Sequence, residues 1–389
     1  MTELKDNMTP WLRIRVDSAA LQANLAEFRQ RVPEPVRLMP VVKADGYGHG
    51  LILAARAFLA GGADWLGVHA MGEAEQLRAD GISVPILVLG PATADEVGRA
   101  RDLDCDVTVG SLAALEAASQ AGGCRVHLKV ETGVNRQGVV ESELSAALAI
   151  LESCPALQLV GISSHFADIE DTTDHGFAHQ QRTRFEGWLE KLADAGFPDL
   201  IRHMSCSAST LLWPDSHRDL VRVGIAAYGQ WPSRETLVSA RLADRADLQL
   251  QPAVTWSVRV SQVRIVPAGE TVGYGRTWKA PVESRVAVLP VGYADGYPRA
   301  LSGRGHVLIQ GQRAPILGRI CMNLCMVDVT HIAAATAGDE AVLLGPQGDD
   351  RITVDQLADW LGTIAYEVLT LPGNTWQRES EPRPISEAE

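Results

Sequence analysis

VRLMPVVKADGYGHGLILAARAFLAGGADWLGVHA, residues 36–70, decides the fold class. It holds two near-continuous apolar runs, VRLMPVVKA from Val36 and DWLGVHA from Asp64, separated by a segment long enough to cross over between parallel strands. Strands that read as unbroken apolar runs are buried on both faces, as in a parallel sheet covered by helices. Outward from this stretch the runs recur as VPILVLG from Val84, DVTVG from Asp106, CRVHLKVE from Cys124, LQLVGISSH from Leu157, LIRHMSCS from Leu200 and LVRVGIAAYG from Leu220. Segments with helical spacing accompany them. DSAALQANLAEFRQ opens behind a candidate N-cap at Asp17, SLAALEAASQ starts at Ser111, and HQQRTRFEGWLEKLADAG ends at Gly196, a C-terminal stop. Eight strand candidates predict an α/β fold with an N-terminal (β/α)8 TIM-type barrel, although no eighth helix is evident in the pattern.

From about Gln251 the pattern changes. VTWSVRVSQVRIV, SRVAVLPVGYADG, HVLIQGQ, ICMNLCMVDVT and EAVLLGPQG alternate with turns and predict a C-terminal, mostly β domain, with one short helix near Val354–Leu361 behind Thr353. The expected organisation is an N-terminal extension at 1–11, a barrel at 12–250, the β domain at 251–378 and a disordered tail, ESEPRPISEAE, at 379–389.

The 389 residues carry 35 Lys and Arg against 48 Asp and Glu, a formal charge of −13. That balance argues against a general nucleic-acid or anionic-membrane binder, since both reward clustered basic residues. No apolar run approaches the ~18 residues of a membrane span, and MTELKDNMTPW has no apolar signal region. Six scattered cysteines suit a reducing cytoplasm. Cys321 and Cys325, read as one strand, would lie ~13 Å apart, too far for a disulfide. The expectation is a cytoplasmic enzyme or small-molecule binder.

Barrel chemistry sits where the strands end. Those ends offer Lys43, His69, Lys129 with Arg136 beyond it, His165, Ser207 and the Arg222–Ile225 segment. A desolvated Lys43 would be an amine nucleophile for a carbonyl; the alternative is a strand-end lysine whose stem packs while its head reaches water. Gly46, Gly48 and Gly50 would let a ligand approach the backbone. Their G-x-G-x-G spacing is not the dinucleotide fingerprint, which speaks against a nicotinamide enzyme. Ser207, Gly224 and Ile225 fall where barrels frequently bind phosphate. Arg222, inside the last strand, needs a partner, with an ion pair as the structural explanation. His175 and His179 share a helix face and could serve a metal-dependent hydrolase, but a third ligand is not evident.

The segments VVKADGYGHG, LKVETGVNRQG, SSHF, SAS, VRVGIAAYG, VGYGRTW, LPVGYADGYPR, GRICMN and YEV, in this order from Leu12 to about Thr370, resemble the PLP-dependent alanine racemases of fold-type III. The resemblance implies interconversion of L- and D-alanine, to supply D-alanine for peptidoglycan or to degrade it. Lys43 would hold pyridoxal 5′-phosphate as an internal aldimine and act as the base toward the D-enantiomer. Tyr274 would be the base toward the L-enantiomer, contributed by the other subunit of a homodimer with shared sites. Racemisation needs acid–base groups on opposite faces of Cα, which a lysine and a tyrosine can supply. Arg222 matches the arginine facing the pyridine nitrogen and His165 the residue bridging Arg222 and the catalytic tyrosine. Tyr47, Ser207, Gly224, Ile225 and Tyr366 match the phosphate cradle. Arg136 and Met322 match the substrate-carboxylate side, Met322 from the other subunit; Lys129 matches a lysine often carbamylated, with an ordinary lysine beside Glu131 as the alternative; and Tyr293 and Arg299 match the entrance. Three positions depart from the family pattern: Asn323 where Asp is common, Glu131 where Asp is common, and Cys206 where Asn is common. The competing readings are a racemase of broader specificity toward serine, lysine or arginine, and a fold-type III PLP decarboxylase, which would pair the pyridine nitrogen with a carboxylate.

Overall fold

The computed structural model describes residues 11–373 and 376–381. The chain divides into two compact units: Ala19–Tyr47 with Leu51–Gln251, and Met1–Ser18 with Gly48–Gly50 and Pro252–Glu389. Strand β1 (Leu12–Asp17) belongs to the second of these.

In the first unit the eight apolar runs become β2 (Arg37–Pro40), β3 (Leu66–Val68), β4 (Ile86–Val88), β5 (Cys105–Val109), β6 (Arg125–Lys129), β7 (Gln158–Ser163), β8 (Ile201–His203) and β9 (Leu220–Val223). Six of them, β3 to β8, form a parallel sheet in sequence order, and β2 pairs in parallel with β9. A bridge from Val41 to Gly67 links β2 to β3. Backbone bonds from Asp219 N to Arg202 O and from Arg222 N to Ser205 O, both 3.1 Å, link β8 to β9. The circuit is a closed barrel.

Helices follow the strands as barrel sterics require. Leu112–Gln120 is capped by Ser111, whose Oγ accepts from Ala114 N, and Gly176–Asp194 ends before Gly196 at φ +93°. The eighth helix is Arg234–Leu242. Its buried side chains are Thr236, Ser239 and Ala240, while Val238 and Leu242 face water. With Thr236, Ser239 and Ala240 inside and Val238 and Leu242 outside, its buried stripe carries no large aliphatic side chain to mark it in the sequence.

The second unit carries β10 (Val254–Arg259), β11 (Gln262–Val266), β12 (Thr271–Val272), β13 (Trp278–Lys279), β14 (Ser284–Leu289), β15 (His306–Ile309), β16 (Gln312–Leu317), β17 (Cys325–Asp328), β18 (Glu340–Gln347), β19 (Asp350–Ile352) and β20 (Arg378–Glu381). Its main sheet runs β11-β14-β17-β16-β15-β18-β10-β1-β20, with β19 on β18. The helix Val354–Leu361 is capped by Thr353, whose Oγ1 accepts from Gln356 N.

Three expectations need correction. A barrel from residue 12 is wrong at its start: β1 alternates buried and half-buried residues and pairs antiparallel with β10, so Leu12–Asp17 is part of the β sheet. The tail expected at 379–389 is ordered at its start, where Glu379, Ser380 and Glu381 pair in parallel with β1; 382–389 and residues 1–10 of the expected N-terminal extension lie outside the described residues. ICMNLCMVDVT is not one strand: a turn closed by Cys321 N and Leu324 O separates Cys321 from β17.

Candidate active site

Lys43 follows β2 directly. Val41 N donates to Val223 O and Val42 N to Gly67 O, so the ladder holds the chain up to the residue before the lysine. Beyond it the backbone turns left-handed for five residues: Ala44, Asp45, Gly46, Tyr47 and Gly48 have φ of 54°, 54°, 61°, 49° and 80°. Such a conformation costs about 1–2 kcal/mol for each residue bearing a Cβ, so its neighbours must enforce it. Ala44 N donates to Glu73 Oε1 (2.7 Å), Gly46 N to Val42 O (2.8 Å) and Leu51 N to Asp45 Oδ1 (2.8 Å). The Tyr47 ring stacks on Tyr228 at 4.8 Å, and Tyr228 Oη donates to Val41 O. The glycines have a different reason from the one expected. A Cβ on Gly46 would press on Ala54 Cβ at 2.9 Å and one on Gly48 would strike Leu369 O at 2.0 Å, so it is protein that these glycines admit.

The left-handed turn aims Tyr47 Oη toward Gly224. A Cβ on Gly224 would lie 2.9 Å from Tyr47 Oη and 3.9 Å from Ser207 Oγ, and Ser207 Oγ accepts from Gly224 N (2.9 Å). Two hydroxyls thus converge beside a glycine that only the missing side chain leaves open, with Ile225 buried next to it. Hydroxyls converging beside an open backbone are groups able to hold an anion.

Arg222 is 7% exposed and all its described bonds go to neutral groups. Nη1 donates to His203 Nδ1 (2.7 Å) and His203 O (2.9 Å). Nη2 donates to Ser164 O (2.7 Å), Met204 O (3.0 Å) and His165 Nδ1 (3.2 Å). The ion pair offered as its structural explanation is therefore not formed among the described residues, and its Nε–H is the one donor left over. Burial brings its pKa down to about 10.

Cations crowd this end of the barrel. Burial, then Arg136, hold the Lys43 amine below the ordinary lysine value, with Glu73 opposing. Lys129, at the end of β6, is brought down to about 8 by burial, then by Arg222 and Arg136, with Glu131 opposing. Burial, Arg222 and Lys129 push His165 well below the ordinary histidine value. Arg136 itself is exposed, on the loop that Val139 N closes against Lys129 O. Lys43, Lys129, Arg136, His165 and Arg222 therefore form one electrostatic cluster, with the Tyr47–Ser207–Gly224 cradle alongside Arg222. His69 is exposed and not among them. His175 and His179 pack on Trp213, the latter stacked at 4.3 Å, which accounts for both rings.

The remaining expected residues stand in the second unit. Tyr274 opens a 3₁₀ turn, Tyr274–Arg276, and is 73% exposed. Gly275 packs against the Arg319 guanidinium, a neighbour the sequence reading did not single out. Tyr293 and Met322 meet through their loops: Tyr293 N donates to Cys321 O (3.1 Å) and Ala294 N to Met322 O (2.9 Å). Arg299 begins the next 3₁₀ turn, and Tyr366 lies half-buried on the helix Ala365–Thr370. Asn323 Nδ2 donates to both carboxylate oxygens of Asp295 at 3.2 Å; an aspartate there would set two carboxylates against each other. Glu131 accepts from Gly133 N within its own loop, and Cys206 N donates to Ser209 Oγ.

The sequence reading passed over Asp106, His127 and His203. Each is a polar residue inside an apolar strand run and each is buried in the barrel. That signal was available, because a polar side chain in a doubly covered strand must find a partner.

Known proteins resemble the chain over nearly all its length. The family described as "Alanine racemase, N-terminal domain" matches residues 16–232 and "Alanine racemase, C-terminal domain" residues 253–380. The alanine racemase of Desulfosudis oleivorans is 41% identical over 380 residues, covering 94% of this chain and 95% of that one. That of Leptospira interrogans is 35% identical over 374 residues, covering 95% of each. The crystal structure of alanine racemase from Bacillus anthracis with bound L-Ala-P superposes with a TM-score of 0.91 at 31% identity, over 97% of this chain and 96% of that one. The enzyme from Streptomyces lavendulae gives 0.86 at 36% identity, over 95% and 97%.

Proposed function

The chain belongs to the alanine racemase family and is a racemase, and from that premise we propose that it interconverts L- and D-alanine with pyridoxal 5′-phosphate bound at the strand ends of the barrel. The observation that carries the reading is Arg222. Among the described residues its neighbours are carbonyls and imidazoles and its Nε–H is spare, and the Tyr47 and Ser207 hydroxyls converge on Gly224, two residues further along the chain. A group with a phosphate at one end and a ring nitrogen acceptor fits that pair of features. That no carboxylate among the described residues partners Arg222 favours a racemase over a decarboxylase, which needs a stronger electron sink.

When bound, the cofactor supplies electron withdrawal from the substrate Cα. The chain supplies the rest. Lys43 offers an amine that burial and Arg136 make easier to deprotonate, of the type that can hold an aldehyde and take a proton. Tyr274 is assigned the opposite face of Cα. Its exposure leaves its hydroxyl outside the packed core of its own unit, which suits a residue contributed to the site of a partner subunit in a homodimer. Arg222 donates but has no proton to spare at neutral pH, so it would hold a pyridine nitrogen by a hydrogen bond without protonating it, which would keep the electron withdrawal modest. Tyr47, Ser207, Gly224, Ile225 and Tyr366 are assigned to the phosphate, His165 to support of Arg222, and Arg136 and Met322 to the substrate carboxylate. Tyr293 and Arg299 are assigned to the entrance. The Asn323, Glu131 and Cys206 departures leave the proposed bases untouched.

Lys129, with a pKa of about 8, has enough neutral amine near pH 7 to take up carbon dioxide. The resulting carbamate would be an anion able to orient Arg136. With 13C-labelled bicarbonate, a carbamate carbon signal is expected to grow from pH 7 to pH 9 and to vanish in Lys129→Ala; a signal that survives the substitution refutes the assignment.

No helix among the described residues is long and apolar enough to cross a membrane, and a cytoplasmic location is proposed on the acidic balance and the free cysteines. Chiral chromatography of the purified, cofactor-loaded protein against a panel of L-amino acids tests the substrate. Alanine is expected to turn over fastest. Faster turnover of serine, lysine or arginine would overturn alanine as the substrate, and release of carbon dioxide would overturn the reaction class.

A further inference from the structure

Beneath Arg222 a chain of buried polar side chains runs through the barrel interior. His203 Nδ1 lies 2.7 Å from Arg222 Nη1, His203 Nε2 lies 2.8 Å from His127 Nδ1, and His127 Nε2 lies 3.1 Å from Asp106 Oδ2. Both imidazoles are fully buried and Asp106 is nearly so. The other carboxylate oxygen, Oδ1, accepts from Arg125 Nε at 2.6 Å, and Arg125 reaches Asp104 on the surface. None of Asp106, His127 and His203 has a place in the chemistry described above.

We propose that Asp106, His127 and His203 form a one-directional hydrogen-bond relay that orients Arg222 and sustains its positive charge from within the barrel. The direction follows from donor counting. A guanidinium only donates, so His203 Nδ1 must accept and the neutral ring carries its proton on Nε2. That proton goes to His127 Nδ1, which leaves His127 its proton on Nε2, and the carboxylate of Asp106 accepts it. Each tautomer is fixed by the bond before it, and the series must end on an acceptor, which here is the Asp106 carboxylate. Successive bonds of one sense in a low dielectric polarise one another, so the charge on Asp106 acts at Arg222 across two neutral rings. The rings cannot swing to reverse the order: they meet edge to face at 5.0 Å, and Trp65 stands edge to face with His127 at 6.0 Å.

The arrangement answers a question that the site raises. Arg222 is buried among other cations with no carboxylate bonded to it among the described residues, yet it must stay charged and fixed if its remaining N–H is to meet a ring nitrogen. A direct carboxylate would do this but would also neutralise the donor. A carboxylate held two imidazoles away orients and stabilises without pairing. Asp106, His127 and His203 are positioning residues in this account. Their effect on catalysis rests on the role proposed for Arg222, whereas the proton order does not.

The test uses the full-length, cofactor-loaded protein labelled with [15N]histidine and read by long-range 1H–15N correlation. His127 and His203 are both expected as neutral Nε2–H tautomers. Either ring found as the Nδ1–H tautomer, or doubly protonated, overturns the relay whether or not the protein racemises alanine. Asp106→Asn keeps an acceptor oxygen and removes the charge. It is expected to move the Nε2–H signals of both His127 and His203, and to lower kcat by about tenfold with KM little changed. Arg125→Gln breaks the surface ion pair but leaves the Asp106 charge, and is expected to leave the His203 signal and kcat near wild type. Equal effects from the two variants would mean that Asp106 only braces the barrel. An unmoved His203 signal in Asp106→Asn overturns transmission, and a moved signal with unchanged kcat overturns the catalytic role alone.

Discussion

The two ends of the barrel treat arginine in opposite ways. Where strands begin, guanidinium meets carboxylate: Arg125 contacts Asp104 and Asp106 at 2.6 Å each, and Arg202 holds Asp219 through bonds of 2.6 and 2.9 Å. Where strands finish, Arg222 has carbonyls and imidazoles, and Lys43, Lys129 and Arg136 gather near it. The starting end spends its charges on itself, which serves the fold. The finishing end leaves positive charge uncompensated, which is what a dianionic phosphate and a substrate carboxylate require. A net charge of −13 conceals this, because the acidic excess lies elsewhere on the molecule.

The contrast can be broken most severely at Lys43. Lys43→Ala is expected to lower racemisation by about 10⁴-fold or more, since it removes both the carrier amine and one base. Steady-state rates from both enantiomers check it. Arg222→Glu gives the finishing end the carboxylate that the starting end has. Racemisation is expected to fall about 10³-fold, with more cofactor consumed by transamination as the ring nitrogen gains a proton. Product analysis for pyruvate would show this, and a near-normal rate without pyruvate would contradict it. Tyr274→Phe sharpens the account on one face only. Proton exchange from L-alanine is expected to drop about 10²-fold, and that from D-alanine by much less; equal losses contradict the face assignment.

The smallest effect belongs to the starting end. Burial would raise the Asp219 pKa, but the Arg202 guanidinium outweighs it and holds the carboxyl below the 3.8 of a free aspartate. A depressed carboxylate stabilises the fold above its unfolded pKa, and that contribution is lost as the pH falls through the folded value. Arg202→Ala is therefore expected to cost about 1 kcal/mol at pH 7, discounted for screening because the guanidinium is 42% exposed, with activity unchanged. In denaturant titrations the difference from wild type should shrink in acid, below the free-aspartate pKa. A difference that persists there would mean the loss is packing rather than charge.

Legibility in the sequence followed burial. The eight barrel strands could be read because each is an apolar run, and Lys43, Ser207 and Arg222 could be read because they interrupt or end such runs. The helix Arg234–Leu242 could not, since its inward residues are small and polar. Strand β1 was misplaced although LRIRVD alternates in the manner of a half-covered antiparallel strand, a period the reading did not weigh against its position. The left-handed turn after Lys43 has no signature in Ala44, because part of what imposes the conformation, Glu73 on Ala44 N and Tyr228 on the Tyr47 ring, is distant in sequence. The roles assigned to Tyr274, Met322 and Tyr366 came from motif resemblance alone; nothing in their own spacing points to chemistry.

The most direct test of the uncompensated end as the working end is chemical trapping. The cofactor-loaded protein is reduced with borohydride, digested, and its peptides mapped by mass. The account requires one pyridoxyl group, on Lys43, with Lys129 unlabelled. Label on another lysine, or none at all, would contradict it.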